Sequence, residues 1–307
     1  MILLITHNDL DGYGCDIVLR SIYKNHENIK TIFCSNGEVN NAVKESIKEH
    51  EEYSKIYITD VSVDEETAKM LDSIGFKVRL FDHHISASWL NTYEWANVFD
   101  KFIITDSKGE DKIYKESGTS LFYNHLIKYY DIDDSYSSSL NKFVSLVRKY
   151  DTWEWKAYGE TEPVMLSSLF KLYDKDTFSK LMVERITNNV DFISEFDKML
   201  LEVDDNRKKR YIDDKKNKMQ IIIKDGKKIG CVICDQYVSE TGNALAETFK
   251  NEIDYVVLIT GTNVSLRSVG DVNVSHIAVS HGGGGHLNAA GYPIDESVLE
   301  RFFKEVL

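Results

Sequence analysis

Three short apolar runs in the first third of the chain each end in side chains that do not belong in a hydrophobic core. Ile2-Leu3-Leu4-Ile5 runs into Thr6-His7-Asn8-Asp9-Leu10-Asp11-Gly12, Lys55-Ile56-Tyr57-Ile58-Thr59 runs into Asp60, and Lys77-Val78-Arg79-Leu80 runs into Phe81-Asp82-His83-His84. Runs of this length read as buried strands. Helical patterns lie between them: Gly12 to Lys24 with Ile17, Val18 and Ile22 inward, Asn40 to His50 with Val43 and Ile47 one turn apart, and Asp64 to Ser73. Thr31-Ile32-Phe33-Cys34 is a further strand. This alternation implies a mostly parallel sheet covered on both faces. Open sheets of that kind gather ligands at the carboxyl ends of their strands. Parallel neighbours would bring His7, Asp9, Asp11, Asp60, His83 and His84 together.

Taken singly, such acids are commonly N-caps or turn residues. Strand ends that repeat the same chemistry point instead to a shared site. Imidazole and carboxylate without thiolate suit manganese, magnesium or iron better than structural zinc. His7, Asp9 and Asp11 cannot all reach one ion from a straight strand, but from a strand end turning into a loop they can serve two. Asp60, with two carboxylate oxygens, is a natural bridge. Two cations about 3.5–4 Å apart would activate water and clamp a phosphoryl oxygen.

Farther along, Phe102-Ile103-Ile104-Thr105 reads as a strand and Ser107 to Lys112 as a turn. Ser117-Gly118-Thr119-Ser120 opens a helix to about Tyr130, and another from Tyr136 to Tyr150 ends at Asp151-Thr152-Trp153-Glu154-Trp155. From Asp174 to Lys218 the chain is charged, helical in pattern and free of Gly and Pro, as expected of helices joining two domains. Its cluster Arg207-Lys208-Lys209-Arg210 reads as a solvated helix face. Beyond Met219, Asp225-Gly226 marks a hairpin, followed by a helix from Asn243 to Lys250 and strands at Tyr255 to Ile259 and Asn263 to Arg267. A short helix from Val274 to Ser280, the run His281-Gly282-Gly283-Gly284-Gly285-His286 and a last helix from Glu296 to Val306 complete the chain. The expected class is α/β: a parallel-sheet domain over 1–173, a helical linker over 174–218 and a smaller α/β domain with a mixed sheet over 219–307. Gly283, Gly284 and Gly285 beside His286 suggest backbone N–H groups brought close to an anion. Arg267 is a candidate fork for phosphate.

Composition narrows the partners. The chain has 307 residues, 42% hydrophobic and 28% charged, a soluble globular mix. No apolar run approaches the roughly 20 residues that cross a bilayer, so no membrane partner is expected. No basic stretch precedes the first strand, which argues against a signal peptide and for the cytoplasm. A net charge of −13 argues against long duplex nucleic acid. It leaves room for a phosphate substrate once cations neutralise the acids. Cys231-Val232-Ile233-Cys234 has half a zinc spacing, but on a strand an offset of three puts the thiols on opposite faces. With Cys15 and Cys34 they read as free thiols.

The Asp82-His83-His84 run, with Thr6 to Gly12 before it, resembles the DHH phosphoesterase superfamily. Val264-Ser265-Leu266-Arg267-Ser268, followed by Gly282 to His286 and Leu287-Asn288-Ala289-Ala290-Gly291, resembles that superfamily's DHH-associated domain. The resemblance covers nearly the whole chain and is strongest to nanoRNase-type oligoribonucleases. It implies two divalent cations, manganese foremost and magnesium or iron as alternatives. His7, Asp9 and Asp60 would hold one, and Asp11, Asp60, His83 and Asp151 the other. It implies catalytic roles for His84, facing the substrate phosphate, and for Asp82, orienting an imidazole. Which of His83 and His84 meets metal stays open. Arg267, Gly283, Gly284, Gly285 and His286 would hold the far end of the nucleotide. The His7-Asn8-Asp9 step is shorter than in many relatives, which leaves the role of Asn8 open. The implied activity is hydrolysis of short oligonucleotides, foremost oligoribonucleotides, to mononucleotides. A cyclic- or linear-dinucleotide phosphodiesterase and a 3′-phosphoadenosine 5′-phosphate phosphatase are the alternatives. The implied partner is a short oligonucleotide or dinucleotide, and a homodimer stays open.

Overall fold

Alternate side chains of strand β1 (Ile2–His7) enter different cores: Ile2 and Leu4 join one hydrophobic cluster, Leu3 and Ile5 another. A strand buried on both faces belongs inside a parallel sheet. In the computed structural model, which describes residues 1–23, 25–105, 109 and 111–306, β1 is such a strand. It follows with α1 (Leu10–Ile22), β2 (Ile29–Cys34), α2 (Val39–Ser46), β3 (Lys55–Thr59), α3 (Glu65–Ile74), β4 (Val78–Asp82) and β5 (Ala96–Val98). The sheet order is β2-β1-β3-β4-β5, and every neighbouring pair is parallel. The chain moves outward from β1 to β2, then returns to the other side of β1 with β3. The point where the winding reverses is therefore between β1 and β3, where such sheets place ligands.

The chain divides into two compact units, Met1–Leu201 and Glu202–Leu307. In the first, β6 (Lys101–Thr105) pairs antiparallel with β7 (Asp111–Lys115); of the turn expected over 107–112, residues 107, 108 and 110 lie outside the described residues, and 111 and 112 are already strand. The unit continues with α4 (Gly118–Leu126), α5 (Asp134–Asp151), α6 (Glu154–Tyr158), α7 (Glu162–Leu172), α8 (Lys175–Thr187) and the start of α9 (Glu195–Lys218). One sheet face is covered by α2 and α3 through Val39, Val43, Ala68 and Leu71. The other is covered through Ile17, Phe122, Phe143, Leu169 and Phe178 of α1, α4, α5, α7 and α8. Each of these side chains other than Ala68 contributes about 1.5–3 kcal/mol on burial. Helix α1 begins at Leu10, earlier than the apolar spacing indicates, because Asp9 caps it. β5 and α7 were not anticipated from the sequence: β5 has only three residues, and α7 is almost apolar all round, without the polar stripe that marks an amphipathic helix.

The second unit contains the rest of α9, then β8 (Gln220–Lys224), β9 (Lys227–Ile233), α10 (Val238–Thr248), β10 (Tyr255–Thr260), β11 (Asn263–Ser268), α11 (Ser275–Ser280), β12 (Gly284–His286), β13 (Ala289–Pro293) and α12 (Glu296–Val306). Its mixed sheet runs β12-β13-β11-β10-β9-β8, with β9 and β10 parallel and the other pairs antiparallel. Asp225 (φ 53°) and Gly226 (φ 76°) are both left-handed, as a two-residue Asp-Gly hairpin turn requires. Cys231 and Cys234 pack into different hydrophobic clusters, and all four cysteines are free. Among the described residues no helix is long and apolar enough to cross a membrane.

Candidate metal centre

Each acid of the cluster is fixed by backbone geometry at a strand or helix end. Asp9 is the N-cap of α1, accepting from the N–H groups of Asp11 and Gly12 at 3.1 Å each. Gly12 lets the helix fold back over β1: a Cβ there would lie 2.1 Å from the His7 carbonyl oxygen. Asp11 is buried, and its two carboxylate oxygens accept from the N–H groups of Gly118 (2.6 Å) and Thr119 (3.0 Å) at the start of α4. Asp60, just past β3, has φ +58° and donates its N–H to Phe81 O at 2.8 Å. A Cβ on Gly118 would lie 2.5 Å from the Asp60 Cβ, so the Asp60 turn fits only beneath glycine. Asp82 accepts from the N–H groups of His83 and His84, from His84 Nδ1 at 2.7 Å, and from the Ser62 hydroxyl. Asp151 is the last residue of α5.

These ends converge. His7 Nδ1 lies 2.8 Å from Asp9 Oδ2 and 3.8 Å from Asp60 Oδ2. His83 Nε2 lies 3.3 Å from Asp60 Oδ1, 3.4 Å from Asp151 Oδ2 and 3.8 Å from Asp11 Oδ2. Three overlapping groups result among the described residues, His7-Asp9-Asp60, Asp11-His83-Asp151 and Asp60-Asp82-His83-His84, the candidate ligand atoms of each within 4.8 Å of one another. One oxygen of Asp60 approaches His7 and the other approaches His83. Of the paired histidines, His83 faces the carboxylates, whereas His84 is tied through Nδ1 to Asp82.

The electrostatics fit a missing positive charge. Burial, reinforced by Asp11 and Asp9, raises Asp60 well above the ordinary carboxylate range. The same causes push Asp151 to about 8. Asp60 Oδ2 and His7 Nδ1 are buried without a hydrogen-bond partner, although the Asp9 carboxylate 2.8 Å from His7 Nδ1 raises the imidazole's pKa. Buried polar groups of this kind are rarely left unmatched. Divalent cations in the first two groups would supply what these atoms lack, and the oxygen and imidazole donors suit manganese, magnesium or iron. Asp82 differs: burial pushes it up, but the bonds from His84 and Ser62 hold it below the usual range, and the bond to Asp82 raises His84 in turn.

Sequence reasoning missed the frame around the cluster. Gly118 and Thr119 were visible only as a helix start, and their bonds to Asp11 reach across 107 and 108 residues. Buried Glu116 accepts from Ser120, which completes the capping box with Ser117. The small polar string Ser117-Gly118-Thr119-Ser120 was the available signal.

The second unit holds the remaining candidates. Gly283 and Gly285 bring β12 against β13: a Cβ on Gly283 would lie 2.1 Å from Gly291 O, and one on Gly285 would lie 2.5 Å from Ala290 Cα. The glycine run is thus a closely packed strand and its approach, and the Gly283 N–H is already bonded to Ala278 O at 2.8 Å. Strand register aligns Arg267 with Ala289 and Ala289 with His286. Directly paired residues share a sheet face. Arg267 and His286 therefore stand on one face two strands apart, roughly 10 Å, with a small alanine between them. The Arg267 guanidinium donates to Ser265 Oγ, Leu266 O and Ser239 Oγ at 2.8–3.0 Å.

Residues 222–307 match the family model of the DHHA1 domain. The chain is 35% identical over 312 residues to oligoribonuclease NrnB of Bacillus subtilis, covering 98% of this chain and 75% of that protein. It is 25% identical over 355 residues to a 3′,5′-cyclic-nucleotide phosphodiesterase of Helicobacter pylori, covering 98% and 96%. Its fold is similar to that of a crystal structure of exonuclease RecJ bound to manganese, with a TM-score of 0.54, 13% identity, and 99% and 88% of the two chains covered.

Proposed function

The chain belongs to the DHH family of phosphoesterases, and on that premise we propose that it is a metal-dependent phosphodiesterase cutting short oligonucleotides, foremost oligoribonucleotides, to mononucleotides. The observation that carries the metal-dependent part is Asp60, with one oxygen toward each of two imidazole–carboxylate groups. The relatives named as an oligoribonuclease and a cyclic-nucleotide phosphodiesterase support hydrolysis of a nucleotide phosphodiester.

His7, Asp9 and Asp60 would hold one divalent cation, and Asp11, Asp60, His83 and Asp151 the second. Bound there, a pair of cations, manganese foremost, supplies water activation and neutralises charge gathering on the phosphoryl oxygens. The protein's own groups do the rest. Asp60 sets the distance between the two groups. Asp82 fixes His84 through Nδ1, leaving Nε2 to meet a substrate oxygen. The Asp82 carboxylate favours a protonated His84, so His84 suits a charge-assisted hydrogen bond to phosphate. Arg267 and His286 are assigned to substrate binding, supported by their shared row on one sheet face.

The decisive test is product analysis with manganese on RNA dimers through hexamers, a cyclic dinucleotide and a nucleotide bisphosphate. Mononucleotides released from the short RNAs are expected. Cleavage of the bisphosphate alone would contradict the proposal.

A further inference from the structure

We propose that the Trp153 indole is a stacking platform for the unpaired nucleobase next to the phosphate that is cut. The inference rests on the phosphodiesterase reading above and names the surface that receives the substrate's base.

Trp153 lies two residues beyond Asp151. With Asp151, His83, Ile113, Lys101 and Lys115 it lines a pocket of about 470 Å³, within the range of small-molecule sites. Exposed aromatic side chains are not rare in this chain, Tyr129, Tyr158 and Phe196 among them, so what singles Trp153 out is its place beside Asp151 and His83. Trp153 is 66% exposed beside the carboxylate cluster. Its φ of 62° is left-handed, a conformation that disfavours bulky side chains.

Neighbouring groups hold that conformation. Thr152 O accepts from Lys115 Nζ at 3.2 Å, and the Trp153 N–H donates to Tyr150 O at 3.2 Å. Arg148 donates to Lys115 O at 2.9 Å and pairs with Glu154 at 2.9 Å, tying β7 to the turn on either side of Trp153. The Trp155 ring lies 6.0 Å away at 27°, and Tyr150 stacks behind Trp155 at 6.5 Å and 12°. A strained backbone kept in place by its surroundings, next to reactive groups, is characteristic of functional sites.

The chemistry selects the ligand. A rigid, exposed indole offers a π-face, and every nucleobase has a matching one, so stacking tolerates any sequence. Lys101, 3.8 Å from Asp100, and Lys115, bonded to Thr152 O, line the same pocket and partly offset the acids Asp100, Glu116 and Asp151 that share it. A base within a duplex has both faces covered, so the platform selects single strands.

The test compares wild type, Trp153→Gly and Trp153→Phe. Glycine suits a left-handed φ, so Trp153→Gly keeps the turn and removes the ring. Binding of a non-hydrolysable, phosphonate-linked dinucleotide and of its abasic counterpart is followed with manganese, alongside Tm. Trp153→Gly is expected to weaken dinucleotide binding about tenfold or more with Tm unchanged or raised. Trp153→Phe should stay within about threefold of wild type, and the abasic ligand should bind wild type and Trp153→Gly alike. Equal dinucleotide affinity for wild type and Trp153→Gly, or equal losses on both ligands, would overturn the proposal. Failure of the wild type to cut RNA dimers would sink the phosphodiesterase reading instead, and the binding comparison would still decide the stacking.

Discussion

Asp60 is buried, left-handed in its backbone, pressed against Gly118 and placed between the His7 and His83 imidazoles. A carboxylate rarely adopts such a setting without compensation, and here both its burial and its acidic neighbours oppose its charge. Asp60→Ala should therefore remove manganese binding, followed by calorimetry, together with turnover of short RNA. An Asp60→Ala enzyme with wild-type activity would exclude the bridging role. Gly118→Ala tests the frame and not the ligand. The added methyl has no room beside Asp60, so manganese affinity should fall at least tenfold, with a lowered Tm. Unchanged affinity would show that the Asp60 turn tolerates displacement. Asp60 was legible in the sequence as an acid ending an apolar run, but its positive φ and its dependence on Gly118 were not. The dependence on Gly118 is a contact 58 residues away in the chain, and no local pattern encodes such a contact.

At the scale of elements, the ligand groups sit where three parallel strands and two helices end. The strands were legible because their apolar runs stop abruptly at acids and histidines. Asp151 was assigned only through the family resemblance, since an acid ending an amphipathic helix looks like any solvated residue. The α8–α9 junction carries a different buried acid. Asp197 pairs with Arg185 at 2.7 Å and accepts from Tyr173 at 2.7 Å and from the Ser194 hydroxyl at 2.6 Å. Burial pushes its pKa up, but these bonds outweigh burial and hold it below the usual range. Asp197→Ala would leave Arg185 with Phe192 O but without its counter-charge and should cost about 3 kcal/mol in urea unfolding. The folded pKa is depressed, so this contribution is present above the unfolded value of about 4 and is lost as pH falls through the folded value. Wild type should lose stability between pH 5 and pH 2 more steeply than Asp197→Ala. Parallel losses would show that the carboxylate is not held in its charged form.

For the whole molecule, a net charge of −13 and a buried knot of acids that could hold cations should make stability and substrate binding depend on them. Without metal, Asp151 titrates at about 8, against roughly 4 in an unfolded chain. Between those values the native state binds the extra proton, so stability of the metal-free protein should fall as pH rises. Manganese replaces that proton, so the rise in Tm on exchanging EDTA for manganese should be larger at pH 8 than at pH 6. An equal increment at both would place the ion elsewhere. At this scale Arg267→Ala should raise KM for short RNA while leaving kcat within a few-fold. A collapse of kcat alone would contradict a binding role.

The most direct measurement is anomalous diffraction from a crystal grown with manganese. Two peaks about 3.5–4 Å apart are expected, one beside His7 and Asp9, the other beside Asp11, His83 and Asp151, with an Asp60 oxygen on each. A cluster empty of manganese, or a lone ion that Asp60 does not touch, would contradict the paired-cation centre.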